Sequence, residues 1–287
     1  MNHIRNVVVA GGDLRQVYAA NALAKQGCAV TALGFDESQP FEKVHQSNDV
    51  SEIAWADLLI FPLGMSKDEF LNTPLYSEGI LFEDCLKQIP KDCQVFGGNI
   101  SVEERELAGR YSLGIRDYFK VEELTVANAL LTAEAAIQIA MEQLSVSLWR
   151  CPCLIGGYGR IGKLLAERLK AFGAEVTVTA RSSEQRIWAE CSALKTVELH
   201  EAAAVLPAMK LIFNTIPGQW LNHRLLSRTA EDCLLIELAS KPYGIDVEGA
   251  KQLNRRLIPA AALPGKHSPQ SAGELIAQTI LNSYGRN

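Results

Sequence analysis

The chain has 287 residues and a formal net charge of -5 at pH 7, with 48% hydrophobic and 21% charged residues. A mildly acidic chain lacks the positive field that nucleic-acid binding requires, and its apolar runs have the length of strands rather than of membrane spans. Its length exceeds that of most single domains and predicts two domains of about 130 to 150 residues each.

The N-terminus and the cysteines indicate the compartment. Residues 1–6 run directly into a strand pattern and carry no apolar signal-peptide core, which favours a cytoplasmic protein. Seven scattered cysteines are an odd number and suit a reducing compartment better than a disulfide framework. Cys151-Pro152-Cys153 is C-x-C with no matching pair nearby, so buried thiols are expected there and no metal site is predicted.

The first half of the chain alternates strand patterns with helix patterns. Strands are predicted over 6–10, 29–35, 58–63 and 94–97, and helices over about 14–26 and 81–88. This alternation predicts a parallel sheet covered on both faces. The turn at 11–16 lacks the spacing of a dinucleotide fingerprint, but its helix N-terminus and Arg15 could attract an anion.

A second α/β unit follows a long helix. The Ala-rich segment 125–148 has few helix breakers and predicts one helix that carries the chain from one domain to the other. Strands are then predicted at 153–155, 175–179, 210–214 and 234–238, with a helix at 163–172 and a last helix from Ser271 to about Tyr284 that packs back on the first domain.

The predicted fold class is therefore α/β, with two doubly wound parallel-sheet (Rossmann-like) domains joined by a long helix and a cleft between them. The first domain is predicted over 1–124, completed by a C-terminal helix over 272–287. The connecting helix is predicted over 125–148 and the dinucleotide-binding domain over 149–271.

The turn that opens the second domain is the strongest motif. Residues 157–162 fit G-x-G-x-x-G between a predicted strand and a predicted helix, which is the context that a dinucleotide-binding turn requires. The first glycine allows a tight turn, the second lets the backbone approach the phosphates, and the third lets the helix pack on the strand. The predicted contacts are Gly157, Tyr158, Gly159, Arg160, Ile161 and Gly162.

The residues after the next strand indicate which dinucleotide binds. NAD-binding domains usually carry Asp or Glu there, whereas this strand ends at Ala180 and is followed by Arg181, Ser182 and Ser183. A guanidinium can hold a 2′-phosphate in a fork, and hydroxyls can donate to its oxygens. The prediction is NADP, with NAD possible; the alternative is a solvated arginine followed by serines that cap the next helix.

Two further strand ends carry small polar residues at the carboxyl edge, where ligands bind in open α/β sheets. Asn214, Thr215 and Pro217 are predicted to line the nicotinamide side, because backbone groups and an amide can bond the carboxamide. Ala239 and Ser240 follow the next strand. The alternative for the first group is ordinary capping of a strand end.

These motifs together carry a family resemblance. The chain has Gly-Gly-Asp-Leu-Arg-Gln at 11–16, Gly-Phe-Asp at 34–36, Ala-Arg-Ser-Ser at 180–183, Asn-Thr-Ile-Pro at 214–217 and Leu-Ala-Ser-Lys-Pro at 238–242. Leu-Pro-Gly from Leu263, then Pro269 and Ser-Ala-Gly from Ser271, complete the set. The combination resembles the A subunit of dipicolinate synthase over nearly the whole chain, and the first-domain turn makes it specific.

The resemblance implies an enzyme of endospore-forming bacteria. That family oxidises the cyclic product of dihydrodipicolinate synthase, a dihydro- or hydroxytetrahydro-dipicolinate, to pyridine-2,6-dicarboxylate with NAD(P)+. It acts together with a smaller, flavoprotein-like B subunit. It further implies a small dicarboxylate substrate, the mother cell of a sporulating bacterium as the location, and possible homo-oligomers.

A dicarboxylate favours cations and helix N-termini, and this preference selects Arg15, Lys266 and His267 as candidates. Lys266 could bind a carboxylate, and His267 could take a ring proton, because histidine titrates near neutral pH. Both are expected to project from a loop between the domains; the alternative is a solvated loop with an idle histidine. The substrate-binding candidates are Arg15, Gln16, Asn99, Ser101, Thr132 and Glu134.

Two other functional classes stay open from the sequence. One is a non-catalytic NADP-binding or assembly subunit whose partner holds the chemistry. The other is an NADP dehydrogenase of another small carboxylate, similar to shikimate dehydrogenase.

Overall fold

The computed structural model describes residues 5–284, so residues 1–4 of the predicted first domain and residues 285–287 of the predicted C-terminal helix lie outside the described residues. The chain divides into two compact units. The first holds the described residues up to Asn128 together with those from Gly265 onward, and the second holds Ala129–Pro264.

The first unit is built on one six-stranded parallel sheet with strand order β3-β2-β1-β4-β7-β8. Its strands are β1 Asn6–Ala10, β2 Ala29–Leu33, β3 His45–Ser47, β4 Leu58–Leu63, β7 Gln94–Gly98 and β8 Ile115–Asp117. A separate antiparallel hairpin consists of β5 Ser66–Lys67 and β6 Phe70–Leu71.

The second unit repeats this arrangement with the order β11-β10-β9-β12-β13-β14, and all its pairings are parallel. In each sheet the strand order reverses next to the first strand of the unit, β1 or β9, so that later strands are added on its other side. Dinucleotide-binding folds have this strand order. The strands are β9 Pro152–Gly156, β10 Glu175–Ala180, β11 Lys195–Glu198, β12 Leu211–Asn214, β13 Leu234–Glu237 and β14 Arg256–Pro259.

Ten α-helices occur among residues 5–284. The first four are α1 Leu14–Lys25, α2 Phe82–Lys87, α3 Val102–Arg110 and α4 Glu122–Gln143. The others are α5 Arg160–Ala171, α6 Ser183–Cys191, α7 His223–Leu226, α8 Val247–Gln252, α9 Leu263–His267 and α10 Pro269–Ser283. Short 3-10 helices lie at Val50–Trp55, Tyr118–Lys120, Leu199–Ala204 and Leu206–Ala208.

Each sheet is buried on both faces, as its strand sequences predict. In β1, Val7 and Val9 pack into one apolar cluster and Val8 and Ala10 into another, because successive side chains point to opposite faces. Strands β9 and β12 divide in the same way between two clusters of the second unit. The predicted fold class, two doubly wound parallel α/β units, is confirmed.

The C-terminal helix α10 packs closely against α1 of the first unit, and Gly273 makes this close contact possible. A Cβ at this position would lie 2.4 Å from the carbonyl oxygen of Arg15, so only a glycine lets α10 approach α1 this closely. Ile276, Ala277 and Ile280 of α10 are buried in the same cluster as Ala19, Ala20 and Leu23 of α1. The Ser-Ala-Gly motif thus has a packing role.

Two local predictions were wrong. The long helix α4 ends at Gln143 instead of continuing to Leu148, because Ser145, Val146 and Ser147 are poor helix formers. The segment with Lys266 and His267, expected to be a loop, forms the short helix α9, with the buried Leu263 and Pro264 at its start. Proline is well tolerated in a first helical turn.

Helix α4 is long and apolar. It is the one helix among residues 5–284 with the length and composition to cross a membrane, and 50% of its most apolar window is buried inside the protein. Core helices of globular enzymes meet the same criterion, so this helix is weak evidence for a membrane span.

Candidate active site

The glycine turn of the second unit has the geometry that a dinucleotide site requires. Gly157 follows β9 with φ of +96°, a backbone conformation that side-chain-bearing residues rarely adopt. Its N–H donates to the carbonyl oxygen of Thr179 at 2.7 Å, which anchors the turn to β10. A Cβ at this position would also lie 2.5 Å from Oγ1 of Thr215.

The other two glycines of the motif serve different purposes. A Cβ at Gly162 would lie 2.1 Å from the carbonyl oxygen of Gly157, so the absence of a side chain allows α5 to pack on the turn. A Cβ at Gly159 would meet nothing within 4 Å. Gly159 is the N-cap of α5 and supplies no side-chain cap, so the N-terminus of this helix faces open space suited to a phosphate.

A cavity of about 390 Å³ opens over this turn and brings many predicted cofactor residues together. Gln185 and Ile216 also line it; Ile216 lies in the Asn-Thr-Ile-Pro motif, whereas no sequence motif marks Gln185. Arg160, Ile161, Gly162, Ser183, Asn214, Ala239 and Ser240 are predicted cofactor residues outside this lining. The lining is Gly157, Tyr158, Gly159, Ala180, Arg181, Ser182, Gln185, Thr215, Ile216 and Pro217.

Arg181 and Ser182 stand at the end of β10 with their side-chain polar groups uncommitted among residues 5–284. The Arg181 side chain is exposed, and no hydrogen bond or ion pair of its guanidinium occurs in the described part of the chain. Ser182 is the N-cap of α6, yet its hydroxyl makes no capping hydrogen bond. Both side chains are therefore available to an anion bound at this edge.

Asn214 is engaged inside the domain. Its Oδ1 accepts hydrogen bonds from Nε1 of Trp220 at 2.7 Å and from the N–H of Ile216 at 3.1 Å. Its Nδ2 donates to the Ile216 carbonyl at 3.0 Å and to Oε1 of Glu237 at 2.7 Å. The side chain is fully buried, so the expected amide contact with a carboxamide does not fit it; Asn214 shapes the 214–217 turn.

Glu237 is a buried carboxylate next to the 214–217 turn that the sequence analysis did not predict. It ends β13 in register with Asn214 and is 1% exposed. Burial raises the pKa of its carboxyl, while hydrogen bonds from Asn214 and from backbone N–H groups lower it. The N–H groups of Ala239 and Ile245 donate to its two oxygens at 2.9 and 2.8 Å, so Glu237 fixes both ends of the loop that carries Ser240.

Arg15 lies at the start of α1 in the first unit, but it is already paired. Its Nε and Nη2 donate to the Asp13 carboxylate at 2.9 and 2.8 Å, and its side chain is 10% exposed. Asp13 is also the N-cap of α1 and accepts from the N–H of Arg15 at 3.0 Å. An anion at this N-terminus would therefore meet the Asp13 carboxylate, a charge that the helix-start pattern alone does not reveal.

Gln16 is fully buried beside Arg15. Its Nε2 donates to the hydroxyl of Tyr118 at 3.4 Å, and Tyr118 donates to the Phe61 carbonyl at 3.2 Å. Oε1 of Gln16 has no hydrogen-bond partner among residues 5–284. Burial raises the pKa of Tyr118, so this phenol stays protonated. Tyr118 follows a short edge strand, and no sequence signal marks it.

The other two substrate candidates of the first unit lie in backbone-capping positions. Asn99 has φ of +54°, and its N–H donates to Oδ1 of Asp117 at 3.0 Å. Ser101 forms a capping box with Glu104: its Oγ accepts from the Glu104 N–H at 3.1 Å, and Oε2 of Glu104 accepts from the Ser101 N–H at 2.8 Å. The Ser101 hydroxyl therefore stabilises the start of α3.

Thr132 and Glu134 lie in α4 within the second unit. Thr132 is buried, whereas Glu134 is exposed and its Oε1 lies 3.6 Å from Nε of Arg168 on α5. Glu134 therefore lies on a helix surface, next to a guanidinium of the same unit.

Lys266 and His267 lie at the end of α9, where both residues are exposed. The preceding residue, Gly265, lies against the paired side chains of the first turn of α1: a Cβ on Gly265 would be 3.0 Å from Nε of Arg15 and 3.1 Å from Oδ2 of Asp13. The first unit thus brings the 265–267 segment next to the Gly-Gly-Asp-Leu-Arg-Gln turn, as a shared site requires.

No group of three or more His, Cys, Asp or Glu side chains that could hold a metal ion occurs among residues 5–284. All seven cysteines are free, and Cys151, Cys153 and Cys233 are buried.

Comparisons with known proteins find matches for both halves of the chain. Residues 6–119 match the family described as the N-terminal domain of the dipicolinate synthase A subunit, and residues 123–239 match "D-isomer specific 2-hydroxyacid dehydrogenase, NAD binding domain". The dipicolinate synthase A subunit of Bacillus subtilis is 27% identical over 281 residues, which cover 96% of this chain and 94% of the relative. The chain is thus similar to dipicolinate synthase A subunits over nearly its whole length.

Solved structures of dipicolinate synthase A subunits have the same fold. The A chain of dipicolinate synthase from Bacillus subtilis aligns with a TM-score of 0.87 and 26% identity, covering 99% of this chain and 97% of that chain. The A subunit from Bacillus halodurans aligns with a TM-score of 0.88 and 24% identity, covering 97% of both chains. The match to an NAD-binding domain, the glycine turn and the cavity above it together identify an NAD(P)-dependent dehydrogenase with a nicotinamide dinucleotide as cofactor.

Proposed function

We propose that this chain oxidises dihydrodipicolinate, or its hydroxytetrahydro precursor, to dipicolinate with NADP+. The observation that carries this proposal is the match of residues 6–119 to the N-terminal domain of the dipicolinate synthase A subunit. Dinucleotide-binding domains serve dehydrogenases of many substrates, so the first domain is the better guide to the substrate.

The proposed reaction balances with these reactants alone. One ring hydrogen leaves dihydrodipicolinate with its electron pair as hydride, and NADP+ becomes NADPH. A second ring hydrogen leaves as a proton, and the ring becomes aromatic. The hydroxytetrahydro precursor would in addition lose water. When bound, the nicotinamide supplies the hydride acceptor, and the chain must orient the substrate and receive the proton.

The preference for NADP is supported by the edge of β10. The Arg181 guanidinium and the Ser182 hydroxyl have no partners within residues 5–284, and both line the cavity over the glycine turn. An acid in their place would repel a 2′-phosphate. We assign the diphosphate to the turn 157–162 and the nicotinamide side to Thr215 and Pro217, with Ala239 and Ser240 on the neighbouring loop.

In the first domain, we assign His267 as the acceptor of the ring proton and Lys266 as a ligand of a substrate carboxylate. Arg15 and Gln16 complete the proposed substrate site, and Tyr118 positions Gln16 through their hydrogen bond. The remaining substrate candidates are Asn99, Ser101, Thr132 and Glu134. Of these, Ser101 already caps α3 and Glu134 already pairs with Arg168, which leaves these two side chains less available to a substrate.

The partnership with a B subunit is supported by the names of the relatives, each of which is an A component of dipicolinate synthase. Free cysteines are consistent with the cytoplasm, and the implied setting is the mother cell of a spore-forming bacterium. We also propose that copies of this chain assemble into homo-oligomers.

The test is NADPH absorbance when the purified chain meets NADP+ and freshly made dihydrodipicolinate synthase product, with dipicolinate measured in parallel. We expect equal amounts of both products, and slower formation with NAD+. Addition of the B subunit then tests the partnership. Failure to form either product, with the B subunit or without it, would contradict the proposal and favour another carboxylate substrate.

A further inference from the structure

We propose that Arg186 sets the preference for the 2′-phosphate, by binding the Glu198 carboxylate and by holding the backbone that presents Arg181 and Ser182. This inference rests on the proposed use of NADP. Arg186 lies within α6, outside the glycine turn, and no sequence motif marks it.

Arg186 connects three elements at the carboxyl edge of the second sheet. Its Nη1 donates to the carbonyl oxygens of Ala180 and Arg181, at 3.1 and 3.3 Å. Its Nη2 donates to Oε1 of Glu198, the last residue of β11, at 2.7 Å. The Arg186 side chain is 17% exposed and that of Glu198 is 44% exposed, so the arginine end of this ion pair is the better shielded from water.

Glu198 occupies a position that matters for cofactor choice. It pairs in register with Ala180 on the neighbouring strand, and neighbouring strands lie about 4.8 Å apart. Ala180 lines the cofactor cavity and precedes Arg181. An acid at this edge is what NAD-binding domains use to accept hydrogen bonds from the ribose hydroxyls. The chain therefore keeps a carboxylate beside the ribose position, one strand away from its usual place.

Both oxygens of that carboxylate are engaged. Oε1 is bound by Arg186, and Oε2 lies 3.3 Å from Nδ1 of His200. Without Arg186, the Glu198 charge would repel a 2′-phosphate and its Oε1 would become available to ribose hydroxyls. The ion pair consequently disfavours NAD-type recognition and favours the phosphate.

The backbone bonds add a second effect. Two successive carbonyl groups bound by one guanidinium fix the direction of the chain just before Ser182, and hence the place from which Arg181 reaches the cavity. The planar fork of arginine can contact both carbonyl groups and a carboxylate together, whereas the lysine ammonium on its flexible stem cannot match this geometry. Arg186 is thus a positioning residue.

The experiment measures the dissociation constants of NADPH and NADH for the full chain, and the readout is their ratio relative to wild type. Arg186→Met should lower the preference for NADPH by about tenfold or more, mainly by weakening NADPH binding. Arg186→Lys should give a ratio between those of the wild type and Arg186→Met, because lysine keeps the positive charge but lacks the planar guanidinium. Arg168→Met is the matched control, since Arg168 also pairs with a carboxylate, that of Glu134, and does not line the cavity.

A second series of variants tests whether the effect of Arg186→Met comes from the unpaired Glu198 charge or from a loss of folding. Glu198→Gln should keep or increase the preference for NADPH, and adding it to Arg186→Met should restore part of the lost preference. An unchanged ratio in a folded Arg186→Met variant would overturn the inference. So would a selective loss of NADH affinity in Glu198→Gln, because Glu198 would then be a ribose ligand. A wild-type preference for NADH would instead contradict the proposed function, independently of these changes.

Discussion

At the scale of single residues, Arg181 is the side chain that we propose contacts the 2′-phosphate. If it does, Arg181→Ala removes a charge-assisted hydrogen bond worth about 1.5 to 3 kcal/mol, so NADPH affinity should fall by about ten- to a hundredfold. NADH affinity should change little, because NADH lacks that phosphate. Fluorescence titration with both cofactors measures this, and an equal loss for both would show that Arg181 does not contact the phosphate.

His267 and Lys266 give a second residue-scale prediction. If His267 receives the ring proton, His267→Ala should lower kcat by about tenfold or more and alter the pH–rate profile. Lys266→Ala should instead raise KM for the substrate. His223→Ala, at the start of α7 in the other unit, is the control for loss of a histidine. An unchanged pH profile in His267→Ala would remove this residue from the mechanism.

The sequence predicted where charged side chains lie along the chain, but not which side chains they pair with. Arg15 was expected from its place at a helix start, yet its pairing with Asp13 depends on the side-chain geometry of the turn. Asn214 and Glu237 each close an apolar strand, and that pattern could have indicated a buried pair, because neighbouring parallel strands end at the same edge. Arg186 and Tyr118 carried no local signal of this kind.

At the scale of elements, the glycine turn can be tested with two matched substitutions. Gly162→Ala places a Cβ 2.1 Å from the Gly157 carbonyl oxygen, so α5 must shift; we expect a stability loss of about 1 to 3 kcal/mol together with loss of cofactor binding. Gly159→Ala places its Cβ in open space and should leave the melting temperature nearly unchanged while weakening cofactor binding.

Gly109→Ala serves as the control for both, because a Cβ there meets nothing within 4 Å and the residue lies in α3. Alanine should slightly stabilise this helix and leave cofactor binding unaltered. Normal cofactor affinity in Gly159→Ala would contradict the placement of the phosphates against this turn.

The loop after β13 depends on Glu237. Glu237→Gln replaces one acceptor oxygen by an amide donor that faces the N–H of Ala239 or Ile245, at a cost of about 1 to 3 kcal/mol. Thermal unfolding should show this loss, and cofactor affinity should fall with it. Trp220, bonded to Asn214 in the same network, offers a fluorescence signal for the rearrangement. A variant as stable as wild type would show that the network contributes little.

Elements with strong apolar patterns could be predicted from the sequence, and weakly patterned ones could not. The central strands β1, β4, β9 and β12 were placed correctly because each is a buried apolar run. The edge strands β3, β8, β11 and β14 were missed, since they are three or four residues long and only partly buried. Helix α9 was missed because Pro264 and Gly265 indicate a turn locally, whereas burial of Leu263 favours the helix.

At the scale of the whole molecule, the cysteines give a prediction about reactivity. Burial raises the pKa values of Cys85, Cys93 and Cys233 to about 12, so few of these thiols ionise near neutral pH. Cys191 is exposed. The native protein should therefore show one fast-reacting thiol with a charged disulfide reagent at pH 8, and all seven after unfolding.

Cys191→Ser should remove the fast reaction without changing the number of thiols that react slowly. Fast reaction of several thiols in the native state would contradict the burial on which this prediction rests.

The two-unit fold could be predicted because alternating strand and helix patterns with a glycine turn leave few other architectures for a chain of this length. The cofactor turn could be predicted for the same reason: its glycines are local requirements of the backbone. The substrate residues could not be predicted with equal certainty, because they depend on which side chains already bind one another, as Ser101 and Glu104 do.

We expect this chain itself to take hydride from the dihydrodipicolinate ring. The most direct measurement is a single turnover with NADP+ and substrate deuterated at the ring carbon, with this chain as the only protein, followed by mass spectrometry of the NADPH formed. We expect NADPH that carries the deuterium, together with dipicolinate. Unlabelled NADPH, or no NADPH from a folded chain that binds NADP+, would contradict the claim.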